Sequence, residues 1–560
     1  MRDDDLEQQA ASWRKTHEQA LTKPRAIAFS TDSGIPVKEL YTPLDLAARG
    51  FDYRDDLGFP GEFPFTRGAD VTGYRDKIYG IGQYAGFATA RDTNRLFKKL
   101  IAEGQDSIHV ACDLPTNMGY DIDHPLAEGE IGRVGLTISS LADMEEFLDG
   151  IDLRRIGVTY VVNPIAPVIL AMHIAVARKQ GVPLDLLTGC VQNDVMKEYT
   201  ACGKYIFPPR QAVRLSADII EYVTEKMPRF YANNIALYHL GEAGADQVQQ
   251  VAFALAAAIE YCDAVTQRGL PIDRFARNIA FLGYVNHRDL LCEVAKIRAM
   301  RRLWAELMKT RYGATLPESM TLKMHCAQGG ICLTAGEGLL NFGRITLAAL
   351  VAALAGVQSL GLRTIDEPYG IPSEEASIIS IRIARMVAQE TGAMDTIDPL
   401  GGSYYVESMT AEIKSRVEDK LAVIEKMGGI VAAIESGYIS TEISNSAYAF
   451  QTALEGGGKV LLGYRRDAEN PYRSPNQNSY YVPSADIARQ CRERLEALRR
   501  TRDDGGVQRA LRRLRAAAEA PASPNLVEPI LEAVEAYATM GEICGVLRQV
   551  LGEYRMPTVV

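Results

Sequence analysis

"VGLTISSLADMEEFLDGIDLRRIGVTYVV", residues 134–162, holds two short apolar runs with a helical pattern between them. Ser140 followed by Asp143 makes a capping-box start, and Leu141, Met144 and Leu148 fall on one helix face. The runs at 134–138 and 156–162 read as strands. Strand, helix, strand at this spacing is the signature of a parallel sheet. Comparable runs recur at 108–112, 185–191, 234–240, 278–285, 321–326 and 356–361. Helical stretches separate them, such as "SEEASIISIRIARMVAQETG" at 373–392, with Ser373 as N-cap, Glu374 and Glu375 at the positive helix end and Gly392 as the stop. Eight strands alternating with helices over roughly 250 residues predict an α/β chain folded as a (β/α)8 TIM barrel rather than an open doubly wound sheet. Chemistry then belongs at the strand C-terminal ends.

Around the barrel, predicted over 58–409, residues 1–57 read as an N-terminal arm making subunit contacts. Residues 410–560 read as a connector followed by a helical region. The connector includes "EGGGKVLLG" and the Pro/Asn-rich "NPYRSPNQNSYYVP"; an Arg-rich stretch farther on interleaves with Glu and Asp and reads as a solvated helix face.

The chain of 560 residues is 47% hydrophobic and 24% charged, long enough for a large core, with a formal net charge of -10. No global positive field draws nucleic acid or an anionic membrane, so an anionic ligand requires local groups. The acidic first residues exclude a secretory h-region, and no run of about 18 apolar residues occurs. The nine scattered cysteines lack C-x-x-C pairing. Together these features predict a cytoplasmic protein with reduced thiols.

Generic catalytic motifs are absent. "GGGK" at 456–459 lacks the phosphate-loop spacing, the seven histidines show no zinc-ligand pattern, and no G-x-S-x-G elbow occurs. By these signals alone the chain is a barrel enzyme of unstated reaction.

Longer strings go further. "GFPGEFPFTRG" (58–68), "QYAGFATARDTNRLFKKLIAEGQ" (83–105), "CDLPTNMGYDIDHPLAEGEIGRVG" (112–135), "QNDVMKEY" (192–199), "YHLGEAGAD" (238–246), "EVAKIRAMRRLWAELM" (293–308), "IDPLGGSYYVE" (397–407) and the tail from 525 resemble the catalytic subunit of adenosylcobalamin-dependent acyl-CoA mutases. That family includes the methylmalonyl-, isobutyryl- and 2-hydroxyisobutyryl-CoA mutases. The resemblance implies an isomerase whose barrel axis is threaded by an acyl thioester. It also implies a radical mechanism, in which a deoxyadenosyl radical removes a substrate hydrogen and the thioester carbonyl group migrates. No histidine here has Asp two positions before it, so the Asp-x-His-x-x-Gly motif that supplies the lower cobalt ligand is missing. A separate small cobalamin-binding subunit is therefore expected, within a heterotetramer built on a dimer of large subunits.

The resemblance also assigns residues. Tyr84 matches the aromatic over the substrate, His239 the donor to the thioester carbonyl, and Gln192 a polar neighbour of that carbonyl. Glu242, Glu367, Gly330 and Asn117 match the cofactor side, with Glu367 at the adenosyl ribose. Lys77 belongs to the CoA-contacting loop, where Gly82 replaces an arginine; Asn278 stands where another arginine is usual, and Ala327 replaces a glutamine. At Cys202 the methylmalonyl enzyme has an arginine for its substrate carboxylate, and a thiol forms no such clamp. Ala111 stands where the 2-hydroxyisobutyryl enzyme holds the substrate hydroxyl with an aspartate, and Cys112 replaces a phenylalanine. The expected substrate is a neutral branched acyl-CoA. The alternatives are a methylmalonyl-type or carrier-bound substrate, or a non-catalytic mutase-like subunit.

Overall fold

Gly157 and Thr159 of one central strand face the middle of the molecule, while Val158 and Tyr160 point outward under a layer of helices. This period-2 alternation, repeated around the sheet, makes the wall of a barrel. The computed structural model describes residues 3–21, 29–464, 484–522 and 524–556. Its strands are β1 (Gly80–Ile81), β2 (Tyr84–Ala85), β3 (Ser107–Val110), β4 (Gly157–Tyr160), β5 (Gly189–Val191), β6 (Phe230–Tyr231), β7 (Asn233–Ala236), β8 (Ile279–Val285), β9 (Met324–Gln328) and β10 (Ser359–Gly361). All pair in parallel, in two five-stranded sheets ordered β1-β10-β9-β8-β7 and β2-β3-β4-β5-β6.

The two sheets share their edges. Only Gly82 and Gln83 separate β1 from β2, and only Ala232 separates β6 from β7, so the ten segments form eight staves. The mouth half of each split stave pairs with one neighbour and the far half with the other. Single backbone bonds cross the two seams: Asp106 N–H to Ile81 O at 3.3 Å, and Asn234 N–H to Gln192 O at 2.8 Å. The (β/α)8 architecture expected from the sequence is thus present, with one stave exchanged. The 134–138 run makes only an isolated bridge, Leu136 to Cys112, and the first stave is the glycine-rich 80–85. The 234–240 run is a strand only to Ala236; helix Leu237–Glu242 follows directly.

Helix starts follow the local chemistry. Asp143 accepts the Ser139 and Ser140 N–H groups at 2.9 and 3.1 Å, and helix Leu141–Phe147 buries Leu141, Met144 and Phe147. Ser373 Oγ caps helix Glu374–Glu390 through the Ala376 N–H at 3.2 Å, and Gly392 takes the left-handed conformation beyond its end, φ +69°. Buried Arg298, on helix Leu290–Tyr312, pairs with Asp398 and Glu407, tying helix Tyr404–Lys426 and the 396–399 loop to the barrel. The boundary expected at 409/410 falls inside Tyr404–Lys426. The described part of the expected connector continues as helices Ile430–Glu435 and Tyr438–Glu455, whereas "NPYRSPNQNSYYVP" lies outside the described residues.

The C-terminal helices brace the loops above the barrel. Asp121 accepts hydrogen bonds from Thr539 Oγ1 (2.6 Å), the Gly541 N–H (2.7 Å) and Arg499 (2.8 Å). Tyr554 donates its N–H to Ile206 O at 2.9 Å and sets its ring edge-on to Tyr199 and Tyr205.

Candidate functional site

Ordinary barrels fill their axis with branched side chains. Here Gly82, Ser107, Gly157, Thr159, Gly189 and Ala280 line it instead, and space remains along the axis in two parts. The outer cavity, about 690 Å³, opens at the strand N-terminal ends; the inner chamber, about 80 Å³, lies at the C-terminal ends. Four stave residues border both: His109, Thr159, Asn234 and His325. From Gly80 at the mouth to Tyr84 at the chamber, four strand residues span about 13 Å.

At this neck the His109 and His325 rings stand 4.4 Å apart between centroids. Each is anchored by a serine, His109 Nε2 to Ser107 Oγ at 3.2 Å and His325 Nδ1 to Ser359 Oγ at 2.8 Å. Burial holds His109 down at about 4 and His325 well below the usual imidazole range, so both are neutral at pH 7. A Cβ on Gly82 would stand 2.4 Å from His109 Nε2. Position 82 cannot carry the arginine of the resemblance while His109 keeps this place.

The outer mouth carries cations. Lys77, Arg155, Arg229 and Lys323 border it, with Arg67 held by Asp398 at 3.1 Å. Lys77, expected in the CoA-contacting loop, is one of these mouth residues. Asn278 does not border the mouth: its buried amide donates to Phe230 O (2.8 Å) and Pro228 O (3.2 Å) and fastens the approach to β6.

The inner chamber brings together Tyr84, His239 and Glu367. His239 sits in the short helix directly after β7. Burial, then the charges of Lys197, Lys204 and Arg363, push its pKa well below the ordinary value, and its buried Nδ1 has no partner. It is a neutral imidazole with unused hydrogen-bonding capacity. Gln192 follows β5 but lies behind the chamber wall: Oε1 accepts from Asn163 at 3.2 Å, and Nε2 is buried without a partner. Buried polar atoms without a partner are uncommon in folded proteins.

Ala111 and Cys112 follow β3 and are buried, and neither they nor Cys202 borders the open part of the chamber. Cys202 ends the turn Glu198–Cys202, its Sγ 3.6 Å from Lys197 Nζ. Lys197 is committed to Glu198 at 2.8 Å, both side chains buried. Burial raises the Cys202 thiol above its ordinary value and outweighs the lysine, so it stays uncharged.

On the far face, three of the expected cofactor-side residues converge. The Gly330 N–H donates to Glu242 Oε2 at 3.1 Å, and a Cβ on Gly330 would lie 3.0 Å from that oxygen and 3.9 Å from Glu367. Asn117 stands apart, its amide holding Cys112 O and Asp113 O at 2.8 and 2.9 Å in a buried loop.

Arg363 escaped the sequence reading. It follows β10 and borders the chamber; its guanidinium lies 4.8 Å from the Tyr238 ring and 5.9 Å from the Tyr84 ring, with Nη1 3.4 Å from Glu367 Oε1. A charged residue at a barrel-strand C-terminal end was the available signal.

The methylmalonyl-CoA mutase family model matches residues 30–553. The 2-hydroxyisobutanoyl-CoA mutase large subunit of Aquincola tertiaricarbonis is 40% identical over 553 residues, covering 98% of this chain and 97% of its own. The methylmalonyl-CoA mutase of Cereibacter sphaeroides is 39% identical over 550 residues, 97% of this chain and 76% of its own. That of Escherichia coli is 37% identical over 537 residues, 95% and 73% respectively.

Proposed function

Since the chain belongs to the methylmalonyl-CoA mutase family, whose members are isomerases, we propose that it is the large subunit of an adenosylcobalamin-dependent mutase acting on a branched, net-neutral acyl-CoA. The observation that carries this reading is the axial channel, cationic at its mouth and ending in a small chamber around His239. The mouth cations suit the phosphates of CoA and take the place of the two arginines absent at 82 and 278. They favour CoA over a carrier protein as the thioester's source.

The residues divide the work along the channel. Lys77, Arg155, Arg229 and Lys323 hold the nucleotide end, and the acyl arm parts the touching rings of His109 and His325 to pass the neck. His239, neutral and without a competing partner, donates to the thioester oxygen, where charge shifts as the carbonyl group migrates. Tyr84 covers the acyl group and excludes water. Cys202 itself presents no counter-ion for a substrate carboxylate, and the adjacent Lys197 is already committed to Glu198.

The convergence of Glu242, Glu367 and Gly330 suits the cofactor: Gly330 leaves a cradle that a side chain would fill, and Glu367 offers acceptors for ribose hydroxyls. When bound, adenosylcobalamin supplies the radical chemistry that removes and returns a substrate hydrogen. The loops leaving β3 and β9 expose Leu114, Leu126, Val134, Ile331 and Leu339 on this side. Such apolar exposure fits a docking surface for a small cobalamin-binding subunit in the cytoplasm. The Aquincola relative, described as a large subunit and covered over 97% of its length, favours this division of labour.

The test combines the chain with a cobalamin-binding small subunit and assays isobutyryl-, 2-hydroxyisobutyryl- and methylmalonyl-CoA. Turnover of a neutral branched thioester only with both subunits and cofactor is expected. Tight 1:1 cofactor binding by this chain alone would count against the two-subunit reading, and preference for methylmalonyl-CoA against the neutral one.

A further inference from the structure

His239 follows a strand end that its own stave does not secure. β7 passes straight into helix Leu237–Glu242, and the N-cap position is Ala236, which has no side-chain oxygen to hold a helix start. Six residues are too few for a helix to hold itself. The hold comes from the neighbouring stave. On the edge facing β5 the Asn234 N–H takes Gln192 O at 2.8 Å, and two residues on, along the same edge, the Ala236 N–H takes Asp194 Oδ2 at 2.8 Å. A carboxylate stands where the next carbonyl of the ladder would be, and its charge strengthens the bond.

Asp194 is fixed in its turn. Oδ1 accepts the Tyr261 hydroxyl at 2.8 Å, that hydroxyl accepts the Met196 N–H at 2.9 Å, and the Asp194 N–H donates to Asn163 Oδ1 at 2.9 Å. Asn163 then donates to Gln192 Oε1 at 3.2 Å. One buried chain of bonds therefore joins the turn before His239 to the Gln192 side chain. Burial raises the Asp194 carboxyl to about 6 against the pull of its hydrogen bonds, so it is ionised at pH 7. Farther along, a Cβ on Gly241 would stand 2.9 Å from the Tyr284 ring, so the helix lies flat against that ring. His239 sits between the two grips. We propose that Asp194 is a positioning residue for the reaction: by holding the Ala236 N–H it sets where His239 meets the thioester oxygen. The proposal rests on the acyl-CoA mutase reading. Asp194 borders neither the chamber nor the mouth, so its effect falls on kcat and spares KM.

The experiment reads the thioester carbonyl directly. Isobutyryl-CoA, isotope-labelled at that carbonyl, is added to the full chain without cofactor; calorimetry measures binding, and infrared difference spectra follow the carbonyl stretch, which falls in frequency when a donor meets the oxygen. Turnover is measured in the complex with small subunit and cofactor. His239→Ala is expected to lose the shift contributed by His239. Asp194→Ala, with native circular dichroism, should lose part of that shift and roughly 10- to 100-fold in kcat at unchanged KM, the scale of a misplaced group. Asp194→Asn keeps an acceptor for the Ala236 N–H and should recover most of both. On a His239→Ala background, Asp194→Ala should cost nothing more in kcat. Tyr261→Phe, which frees one carboxylate oxygen and leaves Asp194 in place, should move the carbonyl frequency the same way by less, and it serves if Asp194→Ala does not fold. A native carbonyl frequency in folded Asp194→Ala or, failing that variant, in Tyr261→Phe overturns the proposal, as do losses in kcat that add to those of His239→Ala. A folded native chain that binds no acyl-CoA refutes the mutase reading itself, and the proposal falls with it.

Discussion

His109 and His325 face each other across the barrel axis with ring centroids 4.4 Å apart, and they divide the axial space into a mouth and a chamber. Both rings are neutral because burial disfavours their charged forms. The folded protein holds His109 near 4, against about 6.5 in the unfolded chain. Between those values the unfolded chain binds more protons, so this residue lowers stability as pH falls from about 6.5 towards 4. His109→Ser removes up to one proton of linkage, about 1.4 kcal/mol per pH unit. The difference in Tm between variant and native protein should shift in the variant's favour from pH 7.5 to pH 5. A constant difference would show that His109 titrates normally.

Gly82 is the slot into which His109 fits. Gly82→Ala should destabilise by roughly 1–3 kcal/mol through overpacking, and adding His109→Ser should recover most of the loss. Denaturant midpoints for the four-member cycle measure the coupling. Simple additivity would mean that the two side chains do not compete for one space.

His239→Ala should lower kcat by roughly 10²-fold with little change in KM, since the donor acts most strongly as charge moves in the transition state. Native circular dichroism should be retained. A near-native kcat would remove His239 from the chemistry.

Cys202→Arg places a second cation beside Lys197, which already lies 3.6 Å from the thiol. Turnover of a neutral acyl-CoA should fall roughly 10²-fold or more through crowding and an unpaired buried charge, while the carboxylated thioester gains relative to it. Comparing kcat/KM for both substrates checks this. Indifference of the neutral substrate would exclude Cys202 from substrate selection.

Arg298→Ala leaves Asp398 and Glu407 without their buried partner. A loss of about 3–5 kcal/mol is expected, read as a lower denaturant midpoint. Because Asp398 borders the channel mouth, weaker acyl-CoA binding should accompany the loss.

Where side-chain period and local caps decide, the sequence was readable. Asp143 folds back on Ser140, Ser373 caps its helix, and seven of the eight anticipated strand runs contain staves. The exception has a physical cause. "GIGQYA" has a single β-branched residue, Ile81, because its inner face must admit His109, so it lacks the composition of a strand. The run at 134–138 has that composition but only one bridge. His239 and Glu242 were expected at the site from the string "YHLGEAGAD" that holds both, and Glu367 and Gly330, which lie beside Glu242, from the same resemblance. Arg363 and the histidine neck were not, because their significance comes from distant strands meeting across the axis. Asn278 and Asn117, expected as ligand residues, hold backbone carbonyls with their amide nitrogens and each keep a buried Oδ1 without a partner.

The two seams give the barrel wall an uneven hoop stiffness. Along most of its circumference, widening the lumen would break a parallel ladder of backbone bonds. At the splits in the first and fifth staves the crossing backbone bonds are Asp106 to Ile81 and Asn234 to Gln192, each worth about 1 kcal/mol net, and side-chain bonds of Asn278, Asn233 and Asp194 reinforce the second. Under outward pressure from within, the wall would give first at the split in the first stave, which has the fewer crossing bonds.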